Sequence, residues 1–162
     1  IRVGGCGSSN TRAIAGGGLD PSVTNVINIW TMASQADATD FGDLVDKVRS
    51  TTGVSNSVRV TFAGGLDDPS LHNDIQTVLF ASQGGTIDFG ALTAARSHTS
   101  GIANSVRAVI GGGEEPSKVN KIDFFKRRQN IYLYRVIRIS FKCPLRFIII
   151  SINFIKACLS KR

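Results

Sequence analysis

The chain repeats itself every 47 residues, and this period constrains the fold more than any other feature of the sequence. The arginines that open the repeats, Arg2, Arg49 and Arg96, are spaced by this interval twice over. A repeated unit buries its apolar surface against its neighbours, so such a chain builds a row or ring of similar modules. The sequence predicts three units, of which the third stops halfway: residues 2–48, 49–95 and 96–124.

Each unit contains the same motif, in which an arginine opens a β-rich run, a glycine run follows, and a Pro-Ser pair precedes an asparagine. The glycines are predicted to end the second strand of the unit, because their backbone enters left-handed conformations that a Cβ forbids. The motif residues are therefore predicted to have a structural role. They are Arg12, Gly16, Gly17 and Asn25, then Arg59, Gly64, Gly65 and Asn73, and finally Arg107, Gly111, Gly112 and Asn120.

Short β-rich runs between turn residues predict four antiparallel strands per unit and an all-β fold. In the second unit the strands are predicted at Ser50–Val54, Arg59–Ala63, Asn73–Phe80 and Asp88–Leu92. The apolar runs "RVTF" and "RAVI" are typical of strands that are buried on both faces. Four strands in 47 residues correspond to one blade of a β-propeller.

The stretch "RSHTSGIANSVRAVIGGG", which begins at Arg96, resembles the kelch-type β-propeller repeat. The units are most similar to the kelch-like arrays of tailed-phage structural proteins, and the resemblance covers residues 2–124. It implies about two and a half propeller blades of a longer array. Phe41 and Phe89 stand where kelch blades usually carry a tryptophan, and Trp30 lies elsewhere and is not repeated.

The resemblance implies a non-enzymatic structural or adhesive module of a virion, with further blades of the same array as neighbours. Its inter-strand loops would bind a glycan or a protein. The segments that differ between units are predicted to form this binding face: Leu19–Thr24 against Leu66–His72, and Gln35–Thr39 against Gln83–Ile87. An intracellular kelch-type adaptor for a protein partner is the alternative function, and the cytoplasm is the alternative location.

No catalytic residue is predicted, because the two histidines, His72 and His98, lie at non-equivalent positions of their units. No cofactor site is predicted, since no lysine follows the glycine runs as in a phosphate-binding loop. No metal site is predicted either. The acidic stretch Asp37, Asp40 and Asp43 lacks EF-hand spacing, and only Asp40 has a counterpart in the second unit, so backbone capping explains it better.

The net charge of +7 comes from the end of the chain. Residues 1–124 contain nine of the 19 basic and all 12 acidic residues, which sum to −3, so no nucleic-acid partner is predicted, and the recurring arginines are interpreted as structural. Residues 125–162 contain ten basic residues, no acid and no glycine. We prefer to interpret this tail as an AT-rich sequence read out of frame rather than as a membrane-surface segment.

The longest uncharged stretch of the tail, Phe147–Ile155, has nine residues, too few for a transmembrane helix. Cys6, Cys143 and Cys158 are widely spaced, which disfavours a disulfide framework or a zinc site. Free thiols suit a reducing compartment or a virion. Because propellers protect their strand edges by closure, the chain alone is predicted to be a fragment that associates edge to edge.

Overall fold

The structure is a computed structural model that describes residues 2–34 and 36–126. The regular elements in this part of the chain are all β-strands, which confirms the all-β class. The predictions for the basic tail fall outside the described residues. The strands are β1 (Arg2–Ser8), β2 (Arg12–Leu19), β3 (Val23–Thr31), β4 (Thr39–Asp43), β5 (Thr52–Ser55), β6 (Arg59–Asp67), β7 (Ser70–Leu79), β8 (Ile87–Ala91), β9 (Ser100–Ala103), β10 (Arg107–Gly111), β11 (Glu114–Glu115), β12 (Ser117–Lys118) and β13 (Ile122–Lys126).

The strands form successive antiparallel sheets, one for each sequence unit. Sheet 1 has the order β1-β2-β3-β4 and sheet 2 the order β5-β6-β7-β8. Sheet 3 contains three strands in the order β13-β10-β9, and β11 and β12 form a small hairpin beside it. The four strands predicted for the second unit are therefore present, and β7 and β8 begin within three residues of their predicted starts.

The glycine run lies inside the second strand and does not end it, so this prediction is wrong for the first two units. Strand β2 continues to Leu19 and β6 to Asp67. The pairing with the third strand shifts register at the glycines, where Gly17 and Gly64 have φ of 70° and 62°. A glycine with positive φ inserts one extra residue as a β-bulge, which bends the strand and lets its ladder continue.

The sheets pack face to face, with sheet 2 between sheets 1 and 3. One core joins sheets 1 and 2 and contains Ile14, Ile27, Phe41, Leu44, Val48, Val60, Phe62, Val78 and Phe80. The other joins sheets 2 and 3 and contains Val54, Ala63, Ile75, Leu92, Ala108 and Ile110, with Phe89, Ala103 and Phe125 against it.

Strand β6 is buried on both of its faces, as the run "RVTF" predicts. The same prediction is wrong for β10, where alternate residues are exposed. Val109, for example, is 37% exposed. The physical reason is that one face of sheet 3 lies against sheet 2, while no sheet of the described residues covers the other face.

The first strands of sheets 1 and 2, β1 and β5, approach each other backbone to backbone. A Cβ on Gly5 would lie 2.6 Å from the backbone nitrogen of Gly53, so only glycines permit this distance. Side-chain hydroxyls link the same strands, since Ser55 Oγ donates to Ser8 O at 2.8 Å. A different hydroxyl links the second and third units, since Thr52 Oγ1 donates to Thr99 O at 2.5 Å.

The sequence spacing predicts that Arg96 opens the third unit, and the backbone hydrogen bonds show that this prediction is wrong by one residue. Arg96 N donates to His72 O at 3.0 Å, just as Val48 N donates to Thr24 O at 3.2 Å. Arg96 thus occupies the position of Val48, and Ser97 takes the place of the opening arginine. The shift arises because the first unit reads "LDP" before its turn and the second reads "LDDP", with one residue more.

Candidate functional site

The three motif arginines lie at the same repeat position but in different surroundings. Arg12 Nη1 donates to the carbonyl oxygen of Phe80 and so links sheet 1 to sheet 2. The Arg59 residue is 3% exposed and lies within the packed sheets. Arg107, in sheet 3, is exposed. The arginines are thus distributed over successive sheets and form no clustered basic face.

The motif glycines of the first two units stand where neighbouring atoms leave little room for a side chain. A Cβ on Gly16 would lie 2.9 Å from the Phe62 ring, and one on Gly65 would lie 3.0 Å from Val48 Cβ. Gly112 repeats the positive φ of the other bulges, at 67°. Gly111 is different, since the nearest atom to its Cβ would be Ile122 Cγ1, 4.0 Å away.

The motif asparagines accept hydrogen bonds from the segment that leaves the fourth strand. Asn25 O accepts from Leu44 N at 2.8 Å, and Asn73 O accepts from Leu92 N at 2.7 Å. Asn120 is exposed in the loop before β13. The asparagines therefore close the first two units and contribute no shared side-chain cluster.

The carboxylates that recur in the fourth strands cap the backbone, in the role expected from the sequence. Asp40 Oδ1 accepts from Gly42 N at 3.0 Å, and Asp88 Oδ1 accepts from Gly90 N at 2.8 Å. Within the residues that the structure describes, Asp37 and Asp43 do not join Asp40 in a group that could share an ion.

A second repeated contact has no counterpart in the sequence motif. Gln76 Oε1 accepts from Val45 N at 2.9 Å, and Asp123 Oδ2 accepts from Thr93 Oγ1 at 3.1 Å. In both cases a polar side chain on the third strand of one unit binds the linker that ends the preceding unit. Sequence reasoning missed these residues because their types differ, although they occupy the same position after the motif Asn-x-Ile.

The two segments predicted to form one binding face lie at opposite ends of the sheets. The β2–β3 and β6–β7 turns precede the third strand of each unit, and the β3–β4 and β7–β8 loops follow it. A nine-residue strand such as β3 separates its ends by about 30 Å, at about 3.3 Å per residue. The segments therefore belong to two separate edges, here called the turn edge and the loop edge.

The turn edge contains a compact cluster of three half-buried side chains that have no counterparts of the same type in the other units. They are Asp46, His72 and Asp74. His72 Nδ1 lies 3.6 Å from Asp74 Oδ2 and 3.8 Å from Asp46 Oδ2. One ligand atom from each of the three residues fits within 4.8 Å of the others. His72 and Asp74 are two residues apart on β7, so they share one face, and Asp46 comes from the linker after β4.

His98 occupies the turn edge one unit further along the chain and has one carboxylate partner, where His72 has two. Its Nδ1 lies 3.6 Å from Glu114 Oε2 and 3.0 Å from Ser97 Oγ. In a catalytic triad the nucleophile and the acid contact different nitrogens of the histidine ring. Ser97 Oγ and Glu114 Oε2 both lie at Nδ1 of His98, so they do not form this arrangement. The edge offers charged and hydrogen-bonding groups, and these suit binding.

No family model matches the chain, and no curated protein sequence is similar to it. The described residues include no apolar helix of the length that a bilayer crossing requires. The assignment of a function therefore depends on the geometry of the sheets and their edges.

Proposed function

We propose that this chain is a non-enzymatic binding module built from propeller-type blades, and that it recognises a glycan or protein partner through its turn edge. Successive four-stranded antiparallel sheets that pack face to face support the blade interpretation. The close approach of the first strands also supports it, because the inner strands of a propeller converge around a central axis.

The observation that carries the proposal is a difference in role. Residues that recur in the units support the fold, and residues that occur in one unit only form the polar surface of the turn edge. Most of the residues that recur in the units form bulges, caps or links between sheets, as Gly64, Asp40 and Arg12 do. The half-exposed polar residues of the turn edge, such as His72 and Asp74, have no counterparts of the same type. Binding residues commonly lie on variable loops that a rigid scaffold positions.

The resemblance to kelch-like arrays of tailed-phage structural proteins favours a virion as the location and adhesion as the role. An intracellular adaptor would use the same scaffold for a protein partner. Fold alone does not choose between them, since function resides in sites that are carried by folds. A glycan partner supports adhesion, and a protein partner supports the adaptor.

The two edges can be tested separately with one substitution in each. We expect the full chain to bind a subset of oligosaccharides on an array of bacterial and animal glycans. His72→Thr, which introduces the residue of the first unit, should weaken this binding at least about tenfold, or about 1.4 kcal/mol. Asp37→Ala, at the loop edge, should leave the binding unchanged.

Asp37→Ala should keep its unfolding free energy within about 0.5 kcal/mol of the unsubstituted chain, as ordinary surface changes do. The side chain of His72 is 20% exposed, and His72→Thr should lose less unfolding free energy than binding free energy. Chelator in the buffer excludes effects of contaminating metal ions. A loss of binding that parallels a loss of stability would assign His72 a structural role, and equal effects of the two substitutions would contradict recognition by the turn edge.

Apolar residues exposed on the outer face of sheet 3 support the proposal that a further sheet packs against it. Ile27 and Ile75 occupy the same repeat position and are 0% and 4% exposed beneath the next sheet, whereas Ile122, their counterpart in sheet 3, is 70% exposed. Phe124, on the same face, is 76% exposed. A further sheet of the same kind would cover these residues, as sheets 2 and 3 cover their predecessors.

We expect the isolated chain to associate through this face. Size-exclusion chromatography with light scattering should show an oligomer that dissociates on dilution, and the double substitution Ile122→Thr and Phe124→Thr should shift it toward monomer. Ile87→Thr removes an isoleucine that is 50% exposed on β8 and should have no such effect. A monomer that unfolds cooperatively with about 5 kcal/mol or more would indicate a self-sufficient domain.

A further inference from the structure

We propose that Asp46, His72 and Asp74 form a binding site for a divalent transition-metal cation of the Zn²⁺ type, which fastens the linker after sheet 1 to sheet 2. This goes beyond partner binding, because the ion acts on the protein itself. Imidazole nitrogen and carboxylate oxygen together are a ligand set that suits Zn²⁺ and its neighbours in the first transition row.

The distances fit one ion. Ligands about 2.0–2.2 Å from a tetrahedral Zn²⁺ lie about 3.3–3.6 Å from one another. His72 Nδ1 lies 3.6 Å from Asp74 Oδ2, at the upper end of this range, and 3.8 Å from Asp46 Oδ2, slightly beyond it. Three protein ligands leave a fourth position for water, which the half-exposed setting supplies.

The ligand atoms are positioned by the backbone before any ion binds. His72 and Asp74 belong to β7, which is paired on both sides within sheet 2. Asp46 lies between two anchored residues of the linker, since Val45 N donates to a side chain of β7 and Val48 N donates to β3. A site with positioned ligands loses little conformational entropy on binding.

The cluster brings two negative charges together. Asp46 and Asp74 bring two carboxylates to one imidazole, and the ion pairs that the structure gives them are both with His72. A divalent cation bound between His72 Nδ1 and these oxygens would neutralise the two carboxylates.

The repeat provides an internal comparison. The counterparts of His72 are Thr24 and Val119, those of Asp74 are Val26 and Lys121, and that of Asp46 is Ala94. The fold therefore does not require a metal-ligating residue at any of the three positions. All three ligands occur together at one junction between units, and the next junction has none of them.

Isothermal titration of the full chain with ZnCl₂ tests the site. The three cysteines are replaced by serine in every sample, so that no thiol competes for the ion. We expect saturable one-to-one binding and a higher melting temperature with Zn²⁺ than with chelator. His72→Thr and Asp74→Asn should each weaken binding more than about 100-fold, since even outer-shell substitutions cost about 10–100-fold.

His98→Ser is the matched control, because Ser50 occupies its position in the second unit with the same φ of 55°. This substitution removes a histidine from the turn edge and should leave the Zn²⁺ affinity unchanged. The proposal is overturned if the cysteine-free chain shows no saturable binding. It is also overturned if His72→Thr and Asp74→Asn, both folded by circular dichroism, bind Zn²⁺ as tightly as their parent.

Discussion

Asp123→Ala should destabilise the protein by about 3–5 kcal/mol, because it removes the ion-pair partner of a buried arginine. The side chain of Arg96 is fully buried, and its Nη2 donates to Asp123 Oδ2 at 2.6 Å. Two further nitrogens of Arg96, Nε and Nη1, are buried without a hydrogen-bond partner. An uncompensated guanidinium at this position costs far more than the pair contributes. Urea denaturation of the full chain measures the difference.

The first junction between units supplies the control, because Val48 and Gln76 occupy the positions of Arg96 and Asp123 there. The double substitution Arg96→Val and Asp123→Gln transfers that neutral arrangement to the second junction. We expect it to be neutral or to stabilise the protein by about 1–4 kcal/mol, because removing both members of a buried ion pair leaves no charge without its partner. A double variant that is as unstable as Asp123→Ala would show that the ion pair itself stabilises the fold.

Gly53→Ala should destabilise the protein by about 3 kcal/mol, at the upper end of the usual cost of overpacking. A Cβ on Gly53 would lie 2.7 Å from the carbonyl carbon of Cys6, which belongs to the first strand of the neighbouring sheet. Backbone atoms cannot rotate away as a side chain does, so the sheets must separate. The melting temperature and the urea midpoint should both fall.

Gly111→Ala is the matched substitution in sheet 3. Its Cβ would meet no atom closer than 4.0 Å, and no positive φ strains it, so its effect should stay within about 0.5 kcal/mol. Equal effects at Gly53 and Gly111 would mean that the close approach of the first strands does not determine stability.

The strands of the second unit were predictable because their β-rich runs are bounded by residues that define turns locally. Asn56 is such a residue, since its Oδ1 accepts from the backbone nitrogens of Val58 and Arg59 at 3.0 and 2.9 Å. The bulge at Gly64 was not predictable from the glycine run. A glycine with positive φ can end a strand or bend it, and pairing with the neighbouring strand decides between the two.

The turn-edge cluster was not predictable for a different reason. Asp46 lies 26 residues before His72 in the sequence, and neither residue belongs to the repeated motif. Only the packing of the linker against β7 brings them together. The burial of Arg96 depends in the same way on Asp123, which lies in the next sheet, and the sequence spacing of 47 assigned Arg96 to the wrong repeat position.

The contacts of Gln76 and Asp123 with the preceding linkers make the row of sheets directional. Sheet 2 completes the closing segment of the first unit through Gln76, and sheet 3 completes that of the second unit through Asp123. The two faces of a sheet are therefore chemically unlike, because one supplies the acceptor side chain and the other lies beside the linker that donates to it. A sheet packed in the reverse orientation would leave the donors of the linker without their acceptors.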